Sequence, residues 1–187
     1  KLYAAQFNVA KYDLEFEVSN IDVITRAEAI ANTVLTAIVM ALILVLGCVL
    51  LIALFKHLGL AISLSMIMAT LTYIILLQAI PGIVVADSAF GAMAIAYFVG
   101  LFQSVSMLNN MKKQYALGKK LHARVKFGFL NSYAFMLDIF ALLIVPAFVM
   151  FLFPSVGIKS FGTVLLMGLI IYTFFAILIN KVFASWY

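Results

Sequence analysis

Asp138 is the only charged residue in the interior of five long apolar stretches of the sequence. A carboxylate near the middle of a membrane helix costs about 2.5–3.5 kcal/mol on insertion scales, so such residues usually face a protein interior or a water path. Asp138 is therefore the first candidate for chemistry, as an ion relay or as a pairing group for another subunit. The stretches are Glu28–Phe55, Leu60–Ala79, Ser88–Leu108, Ser132–Phe153 and Phe161–Asn180.

No apolar stretch supplies a counter-charge for Asp138, because none of them contains Lys or Arg. Two interpretations stay open. In the first, Asp138 relays an ion or pairs with a cationic or polar group of another subunit. In the second, Asp138 is protonated, since burial disfavours the charged form of a carboxyl group, and it bonds to helix backbone or to Thr163 or Thr173. The second interpretation makes it a packing residue.

The composition is that of an integral membrane protein. Hydrophobic residues make up 67% of the sequence, charged residues 10%, and the mean hydropathy is +1.22. Each stretch reaches the roughly 20 residues that cross a ~30 Å hydrocarbon core as a helix. The runs are continuous and do not alternate, which favours helices over barrel strands. We therefore predict an all-α membrane protein with five transmembrane helices.

The basic residues predict the orientation in the membrane. By the positive-inside rule, the loops Lys56–Gly59 and Asn109–Phe127 are cytoplasmic, as is the C-terminus. Residues 1–27 and the loops Gln78–Asp87 and Pro154–Ser160 are then outside. The basic residues of the cytoplasmic side are Lys56, Lys112, Lys113, Lys119, Lys120, Arg124, Lys126 and Lys181. This distribution accounts for the net charge of +5, so we do not expect nucleic-acid binding.

The loop Asn109–Phe127 has apolar residues spaced by four among six basic residues. This spacing suits a short helix at the membrane surface, where Lys and Arg meet anionic lipid. A plain positive-inside loop fits the same sequence. Membrane lipid is a predicted partner in the first case.

The segment before the first apolar stretch has a different pattern. From Lys11 to Val18, charged and apolar residues alternate, which is typical of a half-buried strand. A lone strand must pair with others, and only apolar helical stretches follow it. We therefore predict that residues 1–22 are the last strand and linker of an extracytoplasmic domain, and that residues 23–187 form the transmembrane domain.

The third apolar stretch carries small residues four apart at Ala92, Ala96, Gly100 and Ser104. This spacing puts them on one face of a helix, where they let another backbone approach closely in lipid. We predict that this helix is central in the bundle. The nearby polar residue Gln103, like Ser104, serves either packing or transport.

An enzyme is the least favoured class. The apolar stretches hold no constellation of His, Cys or paired carboxylates, so we predict no catalytic residue, metal site or cofactor. The single cysteine, Cys48, excludes a disulfide within these residues.

Residues from Gly128 to Gly168 resemble the fifth and sixth membrane helices of the SecD half of the bacterial SecDF translocation accessory family. In that family a Gly-Phe pair precedes a membrane Asp by ten positions, as Gly128 and Phe129 precede Asp138. A basic residue, Gly and Phe then open the last helix, with a Gly seven positions later. Lys159–Phe161 and Gly168 match this pattern, with Ser in place of the first Gly.

Two upstream segments extend the resemblance. Residues 2–23 resemble the strand by which the family's extracytoplasmic domain returns to the membrane, and residues 80–83 resemble its Leu-Pro-Gly-Ile turn. The sequence departs from the family in the fourth helix, whose relay Asp falls among Phe102, Gln103 and Ser104. None of these side chains can bind and release a proton at physiological pH. Phe140 stands where the family has an Asn.

The resemblance implies helices two to six of a six-helix half of the resistance-nodulation-division (RND) type, preceded by an extracytoplasmic α/β domain. It also implies an accessory role in protein export across the bacterial plasma membrane, driven by a proton or sodium gradient. The implied partners are a SecF-like half, the SecYEG channel, a YidC-type insertase and the unfolded exported polypeptide. A coupling-deficient scaffold would explain the missing Asp, and another RND-type transporter or lipid exporter is a further alternative.

Overall fold

The computed structural model describes residues 26–80 and 87–185, with side chains at 34–80 and 88–184, and this part is almost entirely helical. The all-α prediction is thereby confirmed for these residues. The predicted strand and the boundary at residue 22 lie outside them. The helices are α1 (Arg26–Ala79), α2 (Asp87–Ala116), α3 (Leu121–Leu152), α4 (Val156–Phe174) and α5 (Asn180–Ser185), and a π-helix at Phe175–Ile179 joins α4 to α5.

The chain divides into two compact units, Lys1–Leu35 and Thr36–Tyr187. In the first unit the structure describes only the start of α1. The second unit contains the helical bundle. Among the described residues, four helices are long and apolar enough to cross a membrane: Val34–Ala79, Ser88–Ala116, Leu121–Leu152 and Val156–Ala184. The chain thus has the helices of a multi-pass membrane protein.

Helix α1 contains two of the five predicted stretches, joined without a loop. Its 54 residues are interrupted at Lys56, where φ is 51° and ψ is −123°. A Cβ atom at Gly59 would collide with the carbonyl oxygen of Leu51, although eight residues span about 12 Å of a straight helix. The chain therefore reverses here into two arms, residues 36–55 and 57–79. The five predicted apolar stretches thus lie in four helices, the first of which is interrupted at Lys56.

Helices α2 and α4 lie at the centre of the bundle. Ala92 and Ala96 are fully buried, and a methyl group at Gly168 of α4 would lie 2.5 Å from the Cβ atom of Ala96. A methyl group at Gly100 would lie 2.9 Å from the Tyr172 ring. The small-residue face of α2 is therefore the surface on which α4 packs, and the two backbones approach closely along it.

Helix α3 packs at the edge of this pair. Its contacts depend on two glycines, because a side chain at Gly128 would collide with Met111 of α2 and one at Gly162 of α4 would collide with Phe151. Only 11% of the most apolar window of α3 is buried, against 50% for α2 and for the last span. Most of α3 is therefore free for contact with lipid or with another protein.

The prediction of a short surface helix within Asn109–Phe127 is wrong. The segment consists of the end of α2, a turn at residues 117–120 and the start of α3. Gly118 takes a positive φ of 73° in this turn, a conformation that glycine adopts without steric cost. Met111 is fully buried and Val125 is 3% exposed, so these two residues belong to the core of the bundle, whereas Tyr115 and Leu117 are 65% and 69% exposed.

Replacing Gly162 with Ala should destabilise the bundle. The added methyl group would meet backbone atoms of α3, including the carbonyl oxygen of Ala147 at 2.9 Å, and backbone cannot turn aside as a side chain can. We expect the free energy of unfolding to fall by about 1–3 kcal/mol, as for other overpacked sites, measured by thermal unfolding in detergent micelles. Gly157→Ala is the control, since its methyl group would lie 3.8 Å from Ser88 Oγ. Equal melting temperatures for the two variants would contradict the close packing.

Candidate functional site

Gln103 links three helices at the centre of the bundle. Its side chain is fully buried. The amide nitrogen Nε2 donates to the backbone oxygen of Met136 in α3 and to Thr173 Oγ1 in α4, both at 3.1 Å. Gln103 therefore makes neutral hydrogen bonds between α2, α3 and α4.

Ser104 belongs to a second polar cluster on the neighbouring face of α2. Asn180 Nδ2 donates to Ser104 Oγ at 2.9 Å, and Ser104 Oγ in turn donates to the Met66 sulfur at 3.5 Å. Both polar side chains are fully buried. This cluster joins α2 to the end of the last span and to the second arm of α1.

The π-helix determines the direction of Asn180. In an α-helix each residue turns by about 100°, so the eight residues from Tyr172 to Asn180 would leave these side chains about 80° apart. The wider π-turn at Phe175–Ile179 holds one extra residue and returns Asn180 to within about 20° of Tyr172. Tyr172 packs on Gly100 of α2, so Asn180 also faces α2.

The polar interior keeps some hydrogen-bonding capacity. Among the described residues, Gln103 Oε1, Asn180 Oδ1 and Ser65 Oγ are buried without a hydrogen-bond partner. The amide oxygens can only accept hydrogen bonds. They can order a proton donor such as water, but amides and serine hydroxyls do not bind and release protons near neutral pH.

Asp138 does not face this interior. Its side chain is exposed on the outer side of α3, while Met136, two residues earlier, is fully buried against α2 and α4. The expectation that Asp138 faces the protein interior is therefore wrong within this chain. The reason is geometric, because two residues turn a helix by about 200° and the bundle covers only the opposite side of α3.

The two proposed threonine partners of Asp138 bond elsewhere. Thr163 Oγ1 donates to the backbone oxygen of Lys159 at 2.7 Å, and Thr173 Oγ1 accepts from Gln103. In residues 34–80 and 88–184 no hydrogen bond or ion pair reaches the Asp138 carboxyl group. Gln103 and Asp138 therefore lie on opposite sides of α3 and form no joint site.

A cluster of three tyrosines binds the arms of α1 to the central pair. Tyr73 donates to the backbone oxygen of Val164 at 2.7 Å, Tyr97 donates to that of Leu44 at 2.9 Å, and the Tyr172 hydroxyl lies 2.9 Å from that of Thr70. The Tyr172 ring centroid is 5.8 Å from that of Tyr73 and 6.0 Å from that of Tyr97. The hydroxyl groups border a cavity of about 470 Å³.

Neither the tyrosines nor Asn180 was among the residues predicted from the sequence. The available signal was the isolated polar group in an apolar stretch, since a buried Tyr hydroxyl or amide needs a hydrogen-bond partner. Among the described residues, no group of three or more His, Cys, Asp or Glu side chains is placed to hold a metal ion.

Comparison with models of protein families gives no match, and comparison with curated protein sequences gives none either.

Replacing Thr173 with Val should destabilise the bundle, because the nearly isosteric change removes an acceptor of the buried Gln103 amide. Hydrogen bonds between membrane helices are worth about 0.6 kcal/mol on average and up to about 1.7 kcal/mol, so we expect a loss in this range in thermal unfolding. Thr72→Val is the matched control, since Thr72 Oγ1 bonds only to Met68 of its own helix. If Thr72→Val lost as much stability, the hydrogen bond from Gln103 to Thr173 would contribute nothing to the association of the helices.

Proposed function

We propose that this chain is a SecD-like accessory subunit of the protein-export machinery in a bacterial plasma membrane. The observation that carries the proposal is the exposed carboxyl group of Asp138 on an otherwise apolar face of α3. Left against lipid, a charged residue at this depth costs about 2.5–3.5 kcal/mol. Contact with another subunit that supplies a cation or a hydrogen-bond donor removes this cost.

The surroundings of Asp138 suit such a contact. Large apolar side chains cover the same helix, with Phe135 at 44% and Leu142 at 73% exposure. The face therefore combines broad apolar surface with a single polar anchor, a combination that is typical of protein interfaces in membranes. It also lies within Gly128–Gly168, the segment whose sequence resembles the SecD family. A SecF-like half is the partner that this resemblance implies.

The proposed mechanism is a shift between two arrangements of α3 against the partner. Binding of a proton or sodium ion near Asp138 would weaken its pairing with the partner, so the two arrangements would differ in ion affinity. A gradient across the membrane could then drive movement that assists an unfolded polypeptide through the SecYEG channel, with a YidC-type insertase as a further partner. The hydrogen bonds in the interior of the bundle would keep the other helices of this chain fixed while α3 moves against the partner.

A coupling-deficient scaffold is the second candidate function, and one observation favours it. Gln103, one of the three residues among which the family's relay Asp falls, is fully buried and bonds to two neighbouring helices. An uncharged side chain engaged in this way stabilises the bundle and cannot bind and release a proton near neutral pH. In this alternative, Asp138 only anchors the partner subunit.

Replacing Asp138 with Asn separates the two functions. The amide is similar in size and cheaper to bury than the carboxylate, so membrane insertion and abundance should remain normal. If Asp138 is coupled to ions, export of a reporter protein should slow by about fivefold or more, which corresponds to about 1 kcal/mol of lost pairing. The rate is measured by pulse-chase of precursor processing in cells.

Asp138→Glu is the matched control, because it keeps a carboxyl group on the same face of α3, displaced by only one methylene group, and should retain most of the export rate. Undiminished export by Asp138→Asn, with the gradient intact, would rule out ion coupling at this residue and leave the scaffold.

The proposed orientation can be tested by cysteine labelling in a Cys48→Ala background. Leu117 lies in the turn between α2 and α3, and Val156 is the first residue of α4, at the opposite end of the bundle. They are 69% and 65% exposed, so thiols at both positions are sterically accessible. A membrane-impermeant maleimide added outside cells should label Val156→Cys and not Leu117→Cys, because basic loops remain in the cytoplasm. Permeabilised cells, in which both thiols should react, provide the control. The reverse pattern would overturn the orientation and the SecD-like assignment with it.

A further inference from the structure

A pocket of about 430 Å³ lies at the end of the bundle where α1 reverses and α2 gives way to α3. Apolar side chains, among them Phe55, Leu108 and Met111, form part of its wall. Three basic residues, Lys56, Lys112 and Arg124, also line it. The pocket thus combines a surface suited to hydrocarbon with three positive charges.

Each basic residue comes from a different helical segment. Lys56 interrupts α1, Lys112 lies near the end of α2, and Arg124 lies in the first turn of α3. Lys56 has a positive φ of 51°, which a residue with a long side chain rarely adopts. The reversal of α1 brings this lysine to the basic ends of α2 and α3.

The Arg124 side chain has hydrogen-bonding capacity left over. Its guanidinium carbon lies 5.1 Å from the centre of the Tyr115 ring, which fixes its position beside the pocket. Its Nε atom is buried and has no hydrogen-bond partner among the described residues. A buried guanidinium N–H calls for an acceptor, and an anion is the strongest one.

The described side chains offer no such anion at the pocket. In residues 34–80 and 88–184 the only carboxylate side chain is that of Asp138. Asp138 lies 14 residues from Arg124 along α3, which is about 21 Å in a helix. The neighbouring Lys119 differs from the three pocket cations, because it already bonds to Gln114 Oε1 and lies over the Phe127 ring.

We propose that this pocket binds the headgroup phosphate of an anionic phospholipid from the leaflet at the basic end of the bundle. The guanidinium group of Arg124 donates to the phosphate oxygens, Lys56 and Lys112 supply further positive charge, and an acyl chain lies along the apolar wall. The apolar wall identifies the source as a lipid, since a free phosphate ion gains nothing from hydrocarbon contact. The lipid would tie the reversal of α1 to α2 and α3.

The experiment titrates the purified chain in neutral detergent with phosphatidylglycerol, with phosphatidylcholine of the same acyl chains, and with inorganic phosphate. Phosphatidylglycerol should bind at one site by native mass spectrometry and raise the melting temperature, because a ligand of the folded state stabilises it. The other two compounds should do neither at the same concentration. Arg124→Gln should raise the dissociation constant for phosphatidylglycerol about fivefold or more, and Lys112→Gln provides a second variant if the first does not fold.

Lys126→Gln is the matched control, since it removes the same charge from an exposed residue that does not line the pocket. It should leave the dissociation constant unchanged. An equal loss of affinity in this control would show diffuse surface attraction and overturn the proposal. Equal binding of phosphatidylcholine would reduce the pocket to an apolar groove, and equal stabilisation by inorganic phosphate would identify a free-anion site; either result would also overturn it.

Discussion

The close approach of α2 and α4 is the constraint on which the other contacts depend. Lipid offers no hydrophobic driving force between helices, so van der Waals contact and hydrogen bonds must hold them together. Contact at this range needs Ala96 opposite Gly168 and Gly100 opposite Tyr172. Tyr172 then lies where Thr70 of α1 can reach its hydroxyl group. The same pairing brings Gln103 to Thr173 and lets it reach α3 through the backbone of Met136.

The bundle separates hydrogen bonding from charge. Neutral amides and hydroxyl groups occupy the interior, where Gln103, Ser104 and Asn180 join helices without an ionised group. Charged groups lie at the ends of the helices or, in the case of Asp138, on the outer surface of α3. This arrangement avoids the cost of a buried unpaired ion. It leaves any ion-dependent chemistry to surfaces where this chain meets lipid or another subunit.

The sequence predicted features that depend on spacing or composition alone. Composition was sufficient for the helical class, and the interval of four between Ala92, Ala96 and Gly100 was sufficient for a shared face. The sequence could not predict which way the Asp138 side chain points, because α3 is apolar on nearly all sides and has no polar face to orient it. The apolar residues near Met111 misled for a related reason, since the same spacing fits a membrane surface and a protein core. The reversal at Lys56 depends on a single backbone conformation that glycine would normally signal.

The π-helix at Phe175–Ile179 makes the length of the last span as important as its composition. Lipid tolerates exchange among Ile, Leu and Phe in such a segment, so substitutions there would look harmless. Inserting one residue would be different, because everything after the insertion would rotate by about 100°. Asn180 would then leave Ser104, and its amide would face hydrocarbon. Deleting one residue from the π-turn would instead keep Asn180 near Ser104, because seven α-helical steps after Tyr172 also end within about 20° of two full turns. Evolution of this segment should therefore permit many substitutions and the loss of one residue, but no insertion.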